Sequence, residues 1–211
     1  MDLEISNVEK SICLSGIKLE TERVQKLVDF YTLLLDWNKT HNLTGPLNYQ
    51  VLMQRHCIEC LLIKPYLLGN TIADIGSGAG LPGIPLAIAY PEFSFSLVES
   101  RQKRIQFISY AKDHLELSNV TIMHARIESI DLNICGFNTV MARAVAPIDR
   151  LMPMLSSWID GGTRLIVPCQ KNINLQELLE RFSCYKIEKV DFPEKTNTKS
   201  GLLIIEKSTH E

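Results

Sequence analysis

The sequence predicts an α/β protein in which a mostly parallel, doubly wound sheet ends in an antiparallel hairpin and carries a helical cap at its N-terminus. Three observations predict this fold. Apolar residues recur at helical spacing in residues 1–70, short apolar runs alternate with helix-like segments after Asn70, and the chain ends in two strand-like runs with no helix between them. We therefore place the cap at residues 1–70 and the core at residues 71–211, packed as one compact unit.

Two helices make up the predicted cap. The first runs from Thr21 to about Asn38, with Thr21 as its N-cap, because its apolar residues recur with a helical period. The second runs from about Tyr49 to Leu67 and ends at the glycine-containing stretch "LLGN". The polar segment "NKTHNLTGPLN" connects the two helices.

The core shows the alternation that is typical of parallel βαβ units. Strands are expected near residues 71–75, 93–98, 120–124, 138–142 and 163–168. Helices are expected near residues 82–90, 101–115, 149–159 and 173–182. The final runs "CYKIEKVDF" and "GLLIIEKS" are joined only by "PEKTNTK", so they predict an antiparallel pair.

Composition restricts the size of the domain, its cellular compartment and the class of partner it can bind. A chain of 211 residues with 45% hydrophobic residues can bury the core of one domain. No run reaches the roughly 20 apolar residues that span a bilayer, the N-terminus lacks the order of a signal peptide, and the six cysteines follow no regular framework. We expect a cytoplasmic protein with reduced thiols. A net charge of −2 does not suggest a nonspecific polyanion binder, so nucleic-acid contact must come from local basic clusters.

The segment "ADIGSGAGLPGIPLAI" (residues 73–88) indicates a nucleotide-like ligand. Gly78, Gly80 and Gly83 fit G-x-G-x-x-G, the pattern of a dinucleotide site. Asp74 and Gly76, together with Gly78 and Gly80, also fit D-x-G-x-G-x-G, which indicates S-adenosylmethionine. We expect glycine at positions 78 and 80 to leave room for a ligand that lies against the backbone.

Two features favour S-adenosylmethionine over a dinucleotide. Pro82 and Pro85 remove N–H donors that a pyrophosphate would need, whereas S-adenosylmethionine has no phosphate. A dehydrogenase normally needs a second domain or long insertions, and a closing hairpin on a doubly wound sheet is instead typical of the Rossmann-like methyltransferases. An NAD-dependent oxidoreductase and a noncatalytic RNA-binding module with the same fold remain the alternatives.

Acidic residues after the second and third strands are candidates for cofactor contact. Glu99 follows the run "FSFSLV" about 20 residues past the glycine loop, where a carboxylate at a strand end can accept hydrogen bonds from both ribose hydroxyls. The alternative is that Glu99 only caps the helix that follows it. In "ARIESI", Ile127 and Glu128 can flank the adenine.

Five segments together resemble a known family: "WNKTHNLT", "RHCIECLL", "DIGSGAGLPGIPLAI", "VESRQKRIQFI" and "ARAVAP". The resemblance is to the bacterial glucose-inhibited division protein B family, the RsmG-type methyltransferases of small-subunit ribosomal RNA, and it covers about residues 37–165. It implies a Rossmann-like fold and S-adenosylmethionine as methyl donor. It also implies methylation of N7 of one guanine, guanine 527, in 16S ribosomal RNA, a partner that we expect within the small ribosomal subunit. The family's cofactor-binding positions correspond to Gly76, Leu81, Ile127, Glu128 and Arg143.

The sequence departs from this family after the predicted fifth strand. Where the family often has Leu-Lys-Gly, this chain has "VPCQK" at residues 167–171. Position 127 carries isoleucine where a small residue is usual.

N7 chemistry is consistent with a sequence that shows no obvious catalytic dyad. Guanine N7 has an in-plane lone pair and no proton to remove, so the attack needs alignment more than a general base. Enzymes that methylate exocyclic amines commonly carry Asn/Asp-Pro-Pro-aromatic after the fourth strand, whereas this chain has "ARAVAP" there. Methylation of cytosine C5 would need a thiolate, for which Cys169 is the only candidate, and such a cysteine is more often a buried hydrophobe.

Arg143 is the predicted catalytic residue. It follows the apolar run "NTVMA" at the expected carboxyl end of the fourth strand, where open α/β sheets bind ligands. Its guanidinium can hold the methionine carboxylate or an RNA phosphate through a bidentate fork. The alternative is a surface ion pair with Asp149.

Two clusters are candidates for RNA contact. Asn38, Lys39 and Asn42 lie at a helix end beside Trp37. Arg101, Lys103 and Arg104 crowd the start of a helix, where the macrodipole disfavours positive charge, and this indicates a phosphate or carboxylate partner.

The stretch "HCIEC" (residues 56–60) is predicted to be structural, since no second ligand pair follows it. We accordingly expect no metal site. We also expect a monomer.

Overall fold

A computed structural model describes residues 2–45, 48, 51–130, 136–194 and 200–208. Its strands are β1 (Thr71–Ile75), β2 (Ser94–Glu99), β3 (Val120–His124), β4 (Thr139–Ala142), β5 (Arg164–Gln170), β6 (Tyr185–Asp191) and β7 (Ser200–Lys207). Its α-helices are α1 (Asp2–Leu14), α2 (Thr21–His41), α3 (Ile58–Leu61), α4 (Gly83–Ala89), α5 (Gln102–His114), α6 (Ile148–Asp160) and α7 (Leu175–Arg181). No helix among the described residues has the length and hydropathy to cross a bilayer.

The strands form one sheet in the order β3-β2-β1-β4-β5-β7-β6. The pairs β1–β2, β1–β4, β2–β3 and β4–β5 are parallel, whereas β7 is antiparallel to both β5 and β6. The direction of strand addition reverses at β1, because β2 and β3 lie on one side of it and β4 and β5 on the other. The predicted Rossmann-like α/β fold with a closing antiparallel hairpin is confirmed.

Both faces of the sheet are covered by helices. One hydrophobic core combines α2 residues such as Phe30 and Leu34 with Phe95 of β2 and Phe107 of α5. The other core packs α6 residues, among them Leu155, against strand residues of the opposite face. Because α2 shares a core with the sheet, the helices before β1 extend one of its helical layers. The division at residue 70 into cap and core stays a prediction.

The second predicted helix is shorter than expected. Within the described residues, a π-helical turn (Leu52–Cys57) leads into α3, and a 3₁₀ turn follows at Lys64–Tyr66. Pro65 lies in the first turn of that 3₁₀ segment. Proline has no N–H to donate within a helix and disfavours helical backbone in the residue before it, so the α-helix ends before Leu67. Tyr49, the expected start, lies outside the described residues.

The predicted N-cap of α2 is also wrong. Glu20 occupies the N-cap position, with φ −68° and ψ 146°, and its side chain makes no capping bond. Thr21 is the first helical residue, and its hydroxyl donates to Glu9 Oε1 at 3.1 Å. The hydroxyl therefore joins α2 to α1 rather than capping α2.

The start of α4 is fixed against the sheet by close packing. Gly83 N donates to Asp74 Oδ2 at 2.9 Å, across the loop that follows β1. A Cβ atom at position 83 would lie 2.2 Å from Leu97 Cδ2 and 2.7 Å from Asp74 Oδ2. Position 83 therefore requires glycine for space, which explains the last glycine of the G-x-G-x-x-G pattern as a packing requirement.

We predict that Gly83→Ala lowers the free energy of unfolding by about 1–3 kcal/mol, because the added methyl group must displace Leu97 or break the Asp74 contact. Gly45→Ala is the matched control, since a Cβ atom there meets no other atom within 4 Å. Urea denaturation monitored by circular dichroism measures both variants. Equal unfolding free energies for the two would contradict this account of α4.

Candidate functional site

The loop after β1 contains three glycines with left-handed backbone. Gly76, Gly78 and Gly80 have φ angles of 63°, 61° and 78°, a region that side chains other than glycine rarely adopt. A Cβ atom at Gly78 would meet nothing closer than Arg104 Nη1, at 3.7 Å. At Gly80 it would lie 2.5 Å from Ile84 Cδ1, so the expectation that Gly80 leaves room for a ligand is wrong. Gly80 makes room for α4, and Gly78 is the glycine whose missing side chain leaves the loop surface open.

Asp74 lies beneath this loop and is fully buried. Its Oδ2 accepts the hydrogen bond from Gly83 N, while Oδ1 has no hydrogen-bond partner among the described residues. Burial raises the pKa of Asp74 from 3.8 to about 7, and the Gly83 N–H and the Arg143 charge act in the opposite direction. Asp74 thus holds the loop and α4 together from inside the protein.

Glu99 joins the glycine loop to the start of α5. Its Oε1 accepts from Ser100 N and Arg101 N, both at 2.8 Å. Its Oε2 accepts from Gly78 N at 3.0 Å and from Arg104 Nη1 at 3.2 Å. The two bonds to Oε1 go to N–H groups that precede the first residue of α5, Gln102, so Glu99 organises the backbone before the helix. The ribose contact stays a prediction, and the bond from Gly78 places the carboxylate directly beside the loop.

One cavity lies at the carboxyl ends of β1, β2 and β3. It has a volume of about 490 Å³. Gly76 and Glu99 line one part of it, Ile127 and Glu128 another, and Arg101 borders it as well. The fold therefore brings together four of the predicted cofactor-binding residues. The remaining ones, Asp74, Gly78, Gly80, Leu81 and Arg143, do not line this cavity.

A second cavity, of about 330 Å³, lies at the carboxyl ends of β4 and β5. Arg143 and Ala144 line it, whereas the next two residues, Val145 and Ala146, line the first cavity. Ala144 has a left-handed φ of 55°, which is uncommon for a residue with a side chain. The short segment after β4 therefore separates two cavities, and Arg143 faces the one without the glycine loop.

The Arg143 guanidinium contacts α3 and the turn before it. Its Nη2 donates to His56 Nδ1 at 2.7 Å, and Glu59 Oε2 lies 3.9 Å from the same nitrogen. Because a guanidinium only donates, His56 must accept at Nδ1. The alternative in which Arg143 pairs with Asp149 is wrong, because Asp149 instead pairs with Arg181 at 3.0 Å.

Comparison with known proteins decides the family. The family model described as rRNA small subunit methyltransferase G matches residues 23–203. Ribosomal RNA small subunit methyltransferase G of Legionella pneumophila is 40% identical over 169 residues, 79% of each chain. The protein of the same name from Francisella tularensis is 28% identical over 210 residues, 98% of this chain and 99% of that one.

The chain belongs to the rRNA small subunit methyltransferase G family. It is an S-adenosyl-L-methionine-dependent methyltransferase of ribosomal RNA. This result favours methyl transfer over both alternatives, the oxidoreductase and the noncatalytic RNA-binding module.

Solved structures support the fold of this methyltransferase. A mutant of MtNAS in complex with S-adenosylmethionine has a TM-score of 0.58 at 17% identity and covers 97% of this chain and 78% of that one. The glycopeptide N-methyltransferase MtfA complexed with (S)-adenosyl-L-methionine has a TM-score of 0.59 at 8% identity, covering 74% of this chain and 88% of that one. At these identities the likeness shows the fold alone.

The first cavity fits the methyltransferase cofactor. Gly76 of the glycine loop, the Glu99 carboxylate at the end of β2 and the half-buried Ile127 surround a space large enough for a nucleoside with an amino-acid tail. No group of three or more His, Cys, Asp or Glu that could hold a metal occurs in the part of the chain that the structure describes.

The "HCIEC" segment contacts Arg143, which its sequence alone did not predict. Cys57 and Cys60 are buried, as the structural prediction expected, and burial raises the pKa of Cys60 to about 12. His56 and Glu59, however, contact Arg143 from the same segment. Their spacing of three residues, which places them on one helix face, was the only available signal.

The predicted RNA contacts divide into two groups. At the end of α2, Asn38 Oδ1 accepts from Thr44 N at 2.9 Å, Asn42 is the left-handed C-cap, and Lys39 pairs with Asp36 at 2.7 Å. The side chains of Asn38 and Lys39 and the backbone of Asn42 thus contribute to the local structure of that helix end. At the start of α5, Arg101 and Lys103 are exposed and make no ion pair with any described residue, whereas Arg104 pairs with Glu99. The RNA role of all six residues stays a prediction.

Proposed function

We propose that this methyltransferase methylates N7 of one guanine, guanine 527, in 16S ribosomal RNA. The observation that carries the proposal is the pair of cavities on the two sides of residues 143–146. One has the features of a cofactor site, and the other has room for a single base. For transfer the acceptor nitrogen must come within about 3–3.5 Å of the methyl carbon, so a base in the second cavity has to reach past residues 143–146 to the methyl donor.

In this proposal the first cavity holds the cofactor through residues of three strand ends. Glu99 binds the ribose hydroxyls, the loop from Gly76 to Gly78 faces the ligand with its backbone, and Ile127 and Glu128 flank the adenine. When bound, S-adenosylmethionine supplies a methyl group on a positively charged sulfur.

The second cavity suits a base that has been turned out of its stack. Pro82, Pro168 and Phe192 give it flat apolar walls, on which a purine can stack. Arg143 lies at the wall between the two cavities, and its hydrogen bond to His56 holds the side chain there. Its guanidinium can donate two parallel hydrogen bonds to an RNA phosphate or to a base oxygen. Arg143 thereby orients the acceptor. Contact with the methionine carboxylate is the other role that we predicted for it.

A ring nitrogen is favoured as the acceptor over a carbon atom. Methylation at cytosine C5 needs a thiolate that attacks the base, and Cys169 is the cysteine at the end of β5 that lines this cavity together with Cys60. Burial raises the pKa of Cys169 to about 11, although the nearby Lys189 acts in the opposite direction. The thiol therefore stays protonated at neutral pH. N7 of guanine needs no such nucleophile.

The assembled small ribosomal subunit is the proposed substrate, and the enzyme acts on it as a monomer in the cytoplasm. A net charge of −2 gives weak general attraction to an RNA backbone. Recognition then depends on local groups such as Arg101 and Lys103, beside the first cavity, and on shape that a folded ribonucleoprotein provides. Of residues 167–171, where the family often has Leu-Lys-Gly, Gln170 lines the second cavity, whereas Lys171 does not.

We predict that ribosomal RNA from cells that contain this enzyme is cleaved at one guanine after treatment with borohydride and aniline. Methylation at N7 leaves a positive charge on the purine, which makes the ring labile to reduction and the chain open to cleavage. RNA from cells without the enzyme is the control. Finding methylated cytosine or adenine instead of the guanine product would contradict the proposal.

We predict that Arg143→Ala lowers single-turnover methylation of purified small subunits by roughly 10²-fold, because the acceptor loses its alignment. Arg143→Lys should be milder but still impaired, since an ammonium group cannot reproduce a bidentate fork. Arg181→Ala, which removes the surface pair with Asp149 and a cation–π contact with Phe182, is the matched control and should retain the wild-type rate. Wild-type rates for both Arg143 variants at saturating cofactor would remove this residue from the site.

A further inference from the structure

The carboxylate of Glu99 already has as many donors as it can accept. A carboxylate offers about four lone-pair positions, and Glu99 receives hydrogen bonds from Ser100 N, Arg101 N, Gly78 N and Arg104 Nη1. The Glu99 side chain is only 4% exposed, so no solvent-facing side of the group is left over. Any ligand hydroxyl that binds Glu99 must therefore displace one of these four donors.

Arg104 is the donor that can leave. The other three are backbone N–H groups of the glycine loop and of the entry to α5, and their bonds of 2.8–3.0 Å are shorter than the 3.2 Å of the Arg104 bond. The Arg104 side chain is 30% exposed and carries the flexibility of a long side chain. Its guanidinium also lies against the open side of Gly78, 3.7 Å from where a Cβ atom would be. It thus covers the loop surface that faces the ligand in the proposed function.

We propose that Arg104 and the cofactor ribose compete for Glu99, so that cofactor binding frees Arg104 to bind an RNA phosphate. This inference rests on the proposed function, because it requires the ribose contact of Glu99. It makes Arg104 a positioning residue that couples two ligands.

The charges at the start of α5 favour this coupling. Arg104 lies in the first turn of a helix, where the macrodipole disfavours a cation, and its ion pair with Glu99 compensates that charge. Once the ribose takes the position on Glu99, the freed guanidinium joins Arg101 and Lys103, which are both exposed. Three cations at one helix start bind a phosphate better than two, so cofactor binding raises the affinity for RNA. By linkage, RNA raises the affinity for the cofactor by the same factor.

The test compares wild type with Arg104→Met, which keeps much of the side-chain length and removes the charge, and with Lys103→Met as the matched control. S-adenosylhomocysteine, which carries no transferable methyl group, is the cofactor probe in calorimetry. Labelled enzyme and purified small ribosomal subunits give the RNA affinity by fluorescence anisotropy.

We expect S-adenosylhomocysteine to tighten binding of wild type to the subunit by about fivefold or more, within the range of typical coupling energies. The slope of log affinity against log salt concentration should become steeper by about one, which corresponds to one more released counterion. In Arg104→Met the coupling should disappear, while S-adenosylhomocysteine binds at least as tightly as to wild type. In Lys103→Met, binding to the subunit should weaken with and without the cofactor probe, and the coupling factor should persist.

Two results would overturn the role of Arg104. The coupling factor is the ratio of the affinities for the subunit with and without S-adenosylhomocysteine. One contradicting result is a coupling factor of one in wild type, or a factor that is the same in wild type and in Arg104→Met. The other is weaker binding of S-adenosylhomocysteine by Arg104→Met, because that would make Arg104 a cofactor ligand rather than a competitor. A wild-type protein that does not bind S-adenosylhomocysteine at all would instead contradict the proposed function itself.

Discussion

The position of β1 between β2 and β4 is the constraint on which the site depends. Strand addition reverses at β1, so the loops that leave β1 and β4 diverge from the same edge of the sheet. Open α/β sheets bind ligands at such a point because neighbouring loops turn away from each other and leave a crevice. Here the crevice holds two cavities rather than one, since the segment after β4 runs between them with Ala144 in a left-handed conformation.

Buried carboxylates fix the loops around that crevice. Asp74 binds the first N–H of α4, and Glu99 binds backbone N–H groups from the glycine loop and from the entry to α5. Hydrogen bonds to a charged acceptor in a poorly hydrated place are stronger than those between neutral groups. The two residues therefore shape the loops, and Glu99 also places a carboxylate at the first cavity. On the other side of the crevice, Glu59, His56 and Arg143 form a cluster that fixes the guanidinium at the wall.

Much of this arrangement follows from local sequence, and the remainder depends on tertiary contacts. The alternation of apolar runs predicts the parallel strands because central strands such as β1 and β4 are buried on both faces. The glycine pattern predicts the loop because left-handed backbone selects glycine. The contact of Arg143 with His56 joins residues 87 positions apart, so no local pattern encodes it. The irregular helical turns between Leu52 and Tyr66 were not predicted either. The apolar spacing of this segment is that of a regular α-helix, and Pro65 is the residue that signals the interruption. The four hydrogen bonds to Glu99 become evident only in the structure, because the donors come from both the glycine loop and the start of α5.

The most direct test of the two-cavity account is amide hydrogen exchange of the enzyme with S-adenosylhomocysteine alone and then with the small ribosomal subunit added. The account predicts that the small ligand protects residues 75–76, 98–101 and 125–128, which border the first cavity. Protection of Cys169, Gln170 and Phe192, at the second cavity, should follow only when the subunit is present. Protection of the second cavity by S-adenosylhomocysteine, with the first left unchanged, would contradict the assignment of both.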